Sequence, residues 1–173
     1  YFYPYPIAGE EFPDTANFAA DPRGFTNLGD WRRDNVNLAI EQVHNTIISI
    51  KPEVQFGISP FGIWRNKKND PRGSETNGLQ NYDDLYADVR LWLRKGWIDY
   101  VVPQLYWEIG KKVADYEVLV DWWSKNSFGR NLYIGLSASN LGHGKIEAWH
   151  RPNELCRQLA MNKDYPATSG AVF

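Results

Sequence analysis

Four stretches of the chain carry apolar residues at the three- and four-residue steps of an amphipathic helix. The clearest stretch, residues 31–50, places Val36, Ile40, Val43 and Ile47 at these steps, a spacing typical of a helix with one buried face. Asp30 is a suitable N-cap, because its side chain can accept a hydrogen bond from the first turn. The other predicted helices cover residues 82–95, with Asn81 as N-cap and Gly96 as the closing residue, residues 113–123, and the residues that follow Pro152.

Short apolar runs lie between these helices and predict strands. They cover residues 54–58, 98–102, 132–136 and 170–173. Their mostly apolar character is expected of strands that are covered on both faces. The repeated order of helix and strand predicts parallel strands joined by right-handed crossovers.

The connections between the predicted elements differ in length. Each helix leads into its strand through a short segment, whereas residues 59–81, 103–112 and 138–151 form long connections after the strands. TIM barrels show this asymmetry, and their long loops carry function. A doubly wound sheet would look similar, but its G-x-G-x-x-G turn and the P-loop are both missing. We therefore predict an α/β protein with the (β/α)₈ TIM-barrel fold.

The length indicates only part of such a barrel. A whole barrel takes about 250 residues, and this chain has 173. Both ends carry apolar or aromatic residues of the kind found inside structured protein. We expect residues 1–173 to form a partial domain, from the end of barrel strand four to the start of barrel strand eight. The unpaired strand edges of half a barrel would favour a homodimer.

Composition excludes several classes of protein and site. The net charge of −2 is too balanced for a nucleic-acid-binding surface, and no apolar run approaches the roughly 18 residues of a membrane-spanning helix. A single cysteine, Cys156, excludes an internal disulfide and a cysteine-based metal cluster. Three scattered histidines make a metal site unexpected, and no cofactor motif is present. Cys156 is expected to be a small core residue of the last helix.

Aromatic and polar side chains follow the predicted strand ends, where a barrel binds its ligands. Flat rings beside hydrogen-bonding groups suit a sugar, which has an apolar face and a polar edge. The candidate substrate-binding residues are Tyr1, Tyr3, Tyr5, Ser59, Trp64, Arg65, Gln104, Tyr106 and Trp107. By contrast, Trp92, Trp122 and Trp123 lie in helical patterns and are expected to pack in the core.

Charged residues outside this set are expected to be structural. For Arg32 we expect an ion pair with a neighbouring loop. Asp83 and Asp84 fit the first turn of the predicted helix 82–95, where negative charge is favoured. Asp99 begins a strand, at the end of a barrel that serves stability.

Five blocks of sequence stand in an order that resembles a known family. They are Tyr1-Phe-Tyr-Pro-Tyr-Pro6, Trp31-Arg-Arg-Asp-Asn-Val36, Phe56-Gly-Ile-Ser-Pro-Phe-Gly-Ile-Trp-Arg65, Tyr82-Asp-Asp-Leu-Tyr-Ala-Asp88 and Gly96-Trp-Ile-Asp-Tyr-Val-Val-Pro-Gln-Leu-Tyr-Trp107. The whole chain resembles the glycosyl-hydrolase-like family of TIM-barrel proteins numbered ten. The resemblance implies hydrolysis of O-glycosidic bonds in a bacterial glycan, such as the glycan strands of the cell wall, and export or lipid anchoring of the parent protein.

Hydrolysis of a glycoside usually requires two carboxylic acids. The resemblance implies that the main candidates are paired aspartates immediately before Tyr1, which the sequence does not contain. Within the chain, Glu108 follows Trp107 at a strand end and could act as an acid if aromatic walls raise its pKa. Asp14, in the segment after the aromatic opening, is the second candidate.

Two other functions remain open. A carbohydrate-binding barrel could keep the aromatic residues without a working carboxylate pair. A metal-dependent deacetylase-like barrel is less favoured, because the histidines are few and badly spaced. The expected partner in the first two cases is an oligo- or polysaccharide.

Overall fold

A computed structural model describes residues 1–151 and 153–173. In these residues the helices are α1 (Thr15–Ala20), α2 (Leu28–Ile50), α3 (Val89–Lys95), α4 (Tyr116–Lys125) and α5 (Glu154–Asn162). The strands are β1 (Gly57–Ile58), β2 (Tyr100–Val101), β3 (Asn131–Gly135) and β4 (Thr168–Val172). Two short 3₁₀ turns, Ala138–Asn140 and Glu147–His150, lie between β3 and α5. No helix in the described ranges is long and apolar enough to cross a membrane.

The four strands form one parallel sheet in the order β1-β2-β3-β4. Each strand therefore pairs with the next strand along the chain. Gly57 lies opposite Tyr100, and Val101 lies opposite Leu132. These features confirm the mixed α/β class and the parallel pairing. Closure of the sheet into a TIM barrel stays a prediction.

Helix α2 begins earlier than the hydrophobic pattern predicts. The side chain of Asn27 accepts a hydrogen bond from the amide of Asp30 at 2.8 Å, so Asn27 is the N-cap and the prediction for Asp30 is wrong. Asp30 instead lies in the first turn, where its charge favours the helix. Only the first half of the apolar face is buried, with Val36 and Ile40 in the core and Val43 43% exposed.

The predicted helix 82–95 is confirmed only at its end. Tyr86 has a positive φ of 55°, which a continuous α-helix cannot contain. The helix starts at Val89, and its N-cap is Asp88, whose side chain accepts from the amide of Leu91. Asn81 donates instead to the carbonyl groups of Phe61 and Ile63. Gly96 closes α3 in the left-handed conformation, as predicted.

Two carboxylates therefore have other roles than the one predicted. Asp83 pairs with Arg65 at 2.8 Å, and Asp84 accepts from the amide of Gln80 at 2.7 Å. They stabilise the loop before α3 and not a helix terminus. Asp99 is structural, as expected, and accepts a hydrogen bond from the amide of Phe56 at 2.8 Å.

The core lies between the sheet and helices α3 and α4. Trp92, Trp122 and Trp123 are 0%, 7% and 0% exposed, which confirms them as core residues. Trp123 donates its indole N–H to the carbonyl of Gly62 at 2.8 Å. The packing of α4 thus reaches the segment that follows β1.

Helix α5 corrects a further prediction. Its buried residues are Glu154, Leu155, Gln158 and Asn162. Cys156 lies about 100° around the helix from Leu155, on the far side from these residues, and is exposed. The prediction that Cys156 is a core residue is therefore wrong. The predicted role of Pro152 as the first helical residue falls outside the described residues.

Candidate functional site

Three segments meet where the strands end. Beyond β1 and β2, pairing continues from Phe61 to Gln104 and from Gln104 to Gly135. The side-chain amide of Gln104 donates to the carbonyl of Ser59 at 3.0 Å. The hydroxyl of Tyr1 donates to the same carbonyl. Since parallel strands place their carboxyl ends at one edge of the sheet, this edge brings together Tyr1, Ser59 and Gln104 as the sequence predicts.

Three tyrosines expose their rings at this edge. Tyr1, Tyr5 and Tyr106 are 45%, 50% and 44% exposed. Burial, with smaller contributions from the nearby hydroxyls of Tyr5 and Tyr106, raises the pKa of Tyr1 to about 12. Tyr1 is therefore a neutral phenol at neutral pH. The three hydroxyls form a group that can exchange hydrogen bonds with a polar ligand.

Two more rings support the tyrosines. Phe61 packs edge-to-face on Trp107, with ring centroids 5.4 Å apart, and Tyr5 packs on Phe61 at 6.4 Å. We call Tyr1, Tyr5, Phe61, Tyr106 and Trp107 the aromatic rim. Phe61 was missed as a candidate, although it lies in the same strand-end block as Ser59. Its position after the strand could have identified it.

Trp64 does not lie in the aromatic rim. It is 2% exposed, stacks on Trp122 at 5.8 Å between centroids, and donates to Asp88 at 3.3 Å. The chain turns inward after Gly62, which places this indole in the core. The prediction that Trp64 binds substrate at the strand ends is therefore wrong.

Arg65 is held within its own loop. Its guanidinium donates to Asp83 from Nε and Nη2, each at 2.8 Å, and to Asp70 from Nη1 at 2.9 Å. It also lies 4.5 Å from the centre of the Tyr82 ring. These bonds occupy the guanidinium, so the structure shows a loop ion pair where the sequence predicts a contact with substrate.

A cleft of about 460 Å³ adjoins the aromatic rim. The aromatic residues that line it are Tyr3, Tyr5, Phe12 and Tyr86. Tyr3 is fixed there, because its hydroxyl accepts from Asn35 at 2.9 Å and its ring packs on Tyr86 at 5.2 Å. The carboxylates that line the cleft are Glu10, Glu11 and Asp84. Tyr5 belongs to both surfaces and makes them continuous.

Asp14 lies beneath this cleft in a buried ion pair. It is 6% exposed and accepts two hydrogen bonds from Arg32, at 2.9 and 2.6 Å. These bonds hold the pKa of Asp14 below its usual value. The expected ion pair of Arg32 is confirmed. An ionised, fully paired carboxylate is poorly suited to donate a proton.

Glu108 is the better-placed carboxylate of the two. Its side chain is 14% exposed, and Oε1 lies 3.1 Å from Nζ of Lys111. Oε2 is buried and has no hydrogen-bond partner among residues 1–151 and 153–173. A buried acceptor without a partner is unusual and calls for a ligand, a water or a proton at that atom.

No group of three or more His, Cys, Asp or Glu side chains is arranged to hold a metal ion in the part of the chain that the structure describes.

The sequence analysis missed Glu154 and Gln158, which contact the segment around Glu108. Their helical spacing alone resembles that of an exposed face, and so carried no signal.

Known proteins resemble this chain over its whole length. It is 49% identical over 176 residues to the glycosyl hydrolase YngK of Bacillus subtilis, covering 99% of the chain and 34% of that protein. It is 40% identical over 180 residues to the glycosyl hydrolase DigH of Escherichia coli K12, covering 100% of the chain and 41% of that protein. The chain thus spans well under half the length of these relatives. The family model described as glycosyl hydrolase-like 10 matches residues 1–150, and the chain therefore belongs to this glycosyl hydrolase-like family.

Proposed function

We propose that this protein is a glycoside hydrolase that cleaves O-glycosidic bonds of a bacterial glycan, with the glycan strands of peptidoglycan as its substrate class. The observation that carries the proposal is the aromatic rim beside Gln104 and Ser59. Rings such as Trp107 and Tyr106 can cover the apolar face of a sugar. The Tyr1 hydroxyl and the Gln104 amide can bind the hydroxyl groups at its edge. The relatives named glycosyl hydrolase support the same reaction class.

The fold that we propose for the complete domain is a TIM barrel. In a doubly wound sheet the strand order reverses at a switch point, whereas the four strands here follow chain order without reversal. The aromatic rim also lies on loops that follow strands, where TIM-barrel enzymes bind their substrates. The order of the strands and the position of the rim both support this proposal.

The chemistry requires a proton donor beside the scissile bond. We propose Glu108 for this role, because Oε2, which has no hydrogen-bond partner among the described residues, offers a place for a proton. Asp14 is disfavoured as the acid by its two bonds to Arg32. The second carboxylate is proposed to be one of the paired aspartates that the family resemblance implies before Tyr1. The reaction needs no cofactor.

The test is release of soluble fragments from purified peptidoglycan glycan strands by the full-length polypeptide. We expect release by the wild-type protein and at least a 100-fold slower rate for Glu108→Gln, a loss of the size expected for a general acid. Glu75→Gln is the matched control, because Glu75 is an exposed loop glutamate. Hydrolysis at the wild-type rate by Glu108→Gln would refute its proposed role.

A second candidate function is carbohydrate binding without catalysis. The ion pair of Asp14 with Arg32 favours this function, since the carboxylate of one of the two predicted acids already accepts two hydrogen bonds. Glycan strands that bind to the protein but are never cleaved would support this function over hydrolysis.

Location and assembly are proposals as well. A protein that acts on cell-wall glycan must leave the cytoplasm, so we propose export, which cell fractionation would test. We also propose that residues 1–173, expressed alone, form a homodimer through the unpaired edges of β1 and β4. Light scattering that finds a stable monomer would contradict the dimer.

A further inference from the structure

Helix α5 directs polar side chains into the protein interior. Glu154, Gln158 and Asn162 follow at four-residue steps and are 1%, 0% and 7% exposed. Burying a carboxylate and two amides is costly unless hydrogen bonds compensate. The partners of these side chains therefore show what the polar face is for.

Two of these side chains hold the backbone on both sides of Glu108. Oε1 of Glu154 accepts from the amide of Ile109 at 2.9 Å. Nε2 of Gln158 donates to the carbonyl of Trp107 at 3.1 Å. The same Nε2 donates to Oε1 of Glu154 at 3.1 Å, which links the two side chains. The peptide groups before and after Glu108 are thus fixed by one helix, and we call Glu154 and Gln158 the α5 clamp.

The α5 clamp acts on a segment that carries two different ligand-facing groups. Trp107 contributes its ring to the aromatic rim, and Glu108 is the proposed acid. An apolar helix face could support this loop by packing, but it could not bond to the carbonyl of Trp107 or to the amide of Ile109. Hydrogen bonds fix the direction of these peptide groups as well as their distance. Rotation of either peptide would move the ring and the carboxylate relative to each other.

We propose that Glu154 and Gln158 are positioning residues, which hold Trp107 and Glu108 in the geometry needed for turnover of a bound glycan. This role rests on the proposed function, in which these two residues face the substrate. The clamp itself touches no substrate. Its contribution is to keep the acid within reach of the bond to be cleaved, since misplacement by about 1 Å can lower a rate about 100-fold.

The test compares three variants of the full-length polypeptide. Glu154→Ala removes the acceptor for Ile109, whereas Glu154→Gln retains a side-chain oxygen that can accept the same bond. Cys156→Ala is the control, because Cys156 lies on the same helix but is exposed on its far side. We expect Glu154→Ala to lower kcat by about 10- to 100-fold with KM changed less than about twofold. Glu154→Gln should recover most of the rate, and Cys156→Ala should match the wild type.

Amide hydrogen exchange separates failure of the clamp from failure of the proposed function. We expect faster exchange at Ile109 in Glu154→Ala and wild-type exchange in Cys156→Ala. An active protein in which Glu154→Ala retains the wild-type kcat overturns the clamp and leaves the hydrolase intact. A wild-type protein that cleaves no glycan, with exchange at Ile109 still accelerated in Glu154→Ala, overturns the proposed function and with it the positioning role. If Glu154→Gln is as slow as Glu154→Ala, the positioning role is also overturned.

Discussion

The guanidinium of Arg32 donates two hydrogen bonds to the carboxylate of Asp14, from Nε at 2.9 Å and from Nη2 at 2.6 Å. It also donates to the hydroxyl of Tyr86 at 2.9 Å and to the carbonyl of Phe12 at 3.2 Å. One side chain of α2 therefore connects the segment before α1 with the loop before α3. Phe12 and Tyr86, which Arg32 joins, both line the cleft beside the aromatic rim.

Removing Arg32 should destabilise the protein strongly. Arg32→Met leaves Asp14 buried without its partner, which is expected to lower the free energy of unfolding by about 3–5 kcal/mol. The control is Arg23→Met, because Arg23 pairs with Asp34 near the surface. That loss should be about 0–1 kcal/mol. Urea unfolding at pH 7 measures both, and equal losses would contradict a dominant role for the buried pair.

The same pair makes stability depend on pH in a known direction. Hydrogen bonds from Arg32 lower the pKa of Asp14 from its ordinary value of 3.8. The stabilisation is therefore complete well above pH 3.8 and is lost as the pH falls through the lower pKa of the folded state. The difference in unfolding free energy between wild type and Arg32→Met should shrink as the pH is lowered from 7 towards the acid range. A difference that grows on acidification would show that the sign is wrong.

Trp64 should affect folding more than glycan binding. Because it is fully packed against Trp122, Trp64→Ala is expected to cost about 3–5 kcal/mol of unfolding free energy. Trp64→Phe keeps part of the packing and should cost less. Urea unfolding measures stability, and glycan binding is compared for the Phe variant. Normal stability with lost binding would return Trp64 to the ligand-facing set.

Gly62 should resist substitution because the aromatic rim lies against it. A Cβ atom here would lie 2.6 Å from both the carbonyl oxygen of Gln104 and the ring of Trp107. Gly62→Ala must displace one of them, and such overpacking typically costs about 1–3 kcal/mol. Gly29→Ala is the matched control, since its nearest neighbour would be 3.5 Å away. Thermal unfolding and tryptophan fluorescence of the two variants test this, and similar behaviour of both would contradict the close contact.

Tyr106 should contribute to glycan affinity without supporting the fold. It is 44% exposed in the aromatic rim, so Tyr106→Ala is expected to weaken glycan binding by about 1–2 kcal/mol at nearly unchanged stability. Phe128→Ala is the control, because Phe128 is similarly exposed but lies in the loop between α4 and β3, at the opposite edge of the sheet. Isothermal titration with soluble glycan fragments measures the affinity. An equal effect of both variants would show that the rim has no special role.

Local sequence signals succeed where one element determines its own structure. The helical spacing of α2, the glycine that closes α3 and the alternation of helices with short apolar strands follow from residues close together in the chain. They predict the α/β class and the parallel sheet. Gln104, Tyr106 and Trp107 could be proposed in the same way, because they follow β2.

The errors have a common physical origin. The predicted helix 82–95 loses its first two turns because Asn81 and Asp83 find partners about 18 to 20 residues away, in Phe61, Ile63 and Arg65. Cys156 is exposed because the buried face of α5 carries Glu154 and Gln158, whose side chains form hydrogen bonds with a distant loop. In both cases the competing interaction is non-local, and periodicity along the chain does not reveal it.

The sequence by itself determined the class of fold, the strand ends that carry aromatic and polar groups, and membership of a family. These properties depend on hydrophobic spacing and on residue order. Only the tertiary structure decided that Trp64 packs in the core, that Arg32 forms a buried ion pair with Asp14, and that α5 holds the backbone around Glu108. Each of those outcomes depends on which buried polar groups meet across the fold, because an unpaired buried group is costly and its partner can lie anywhere in the chain.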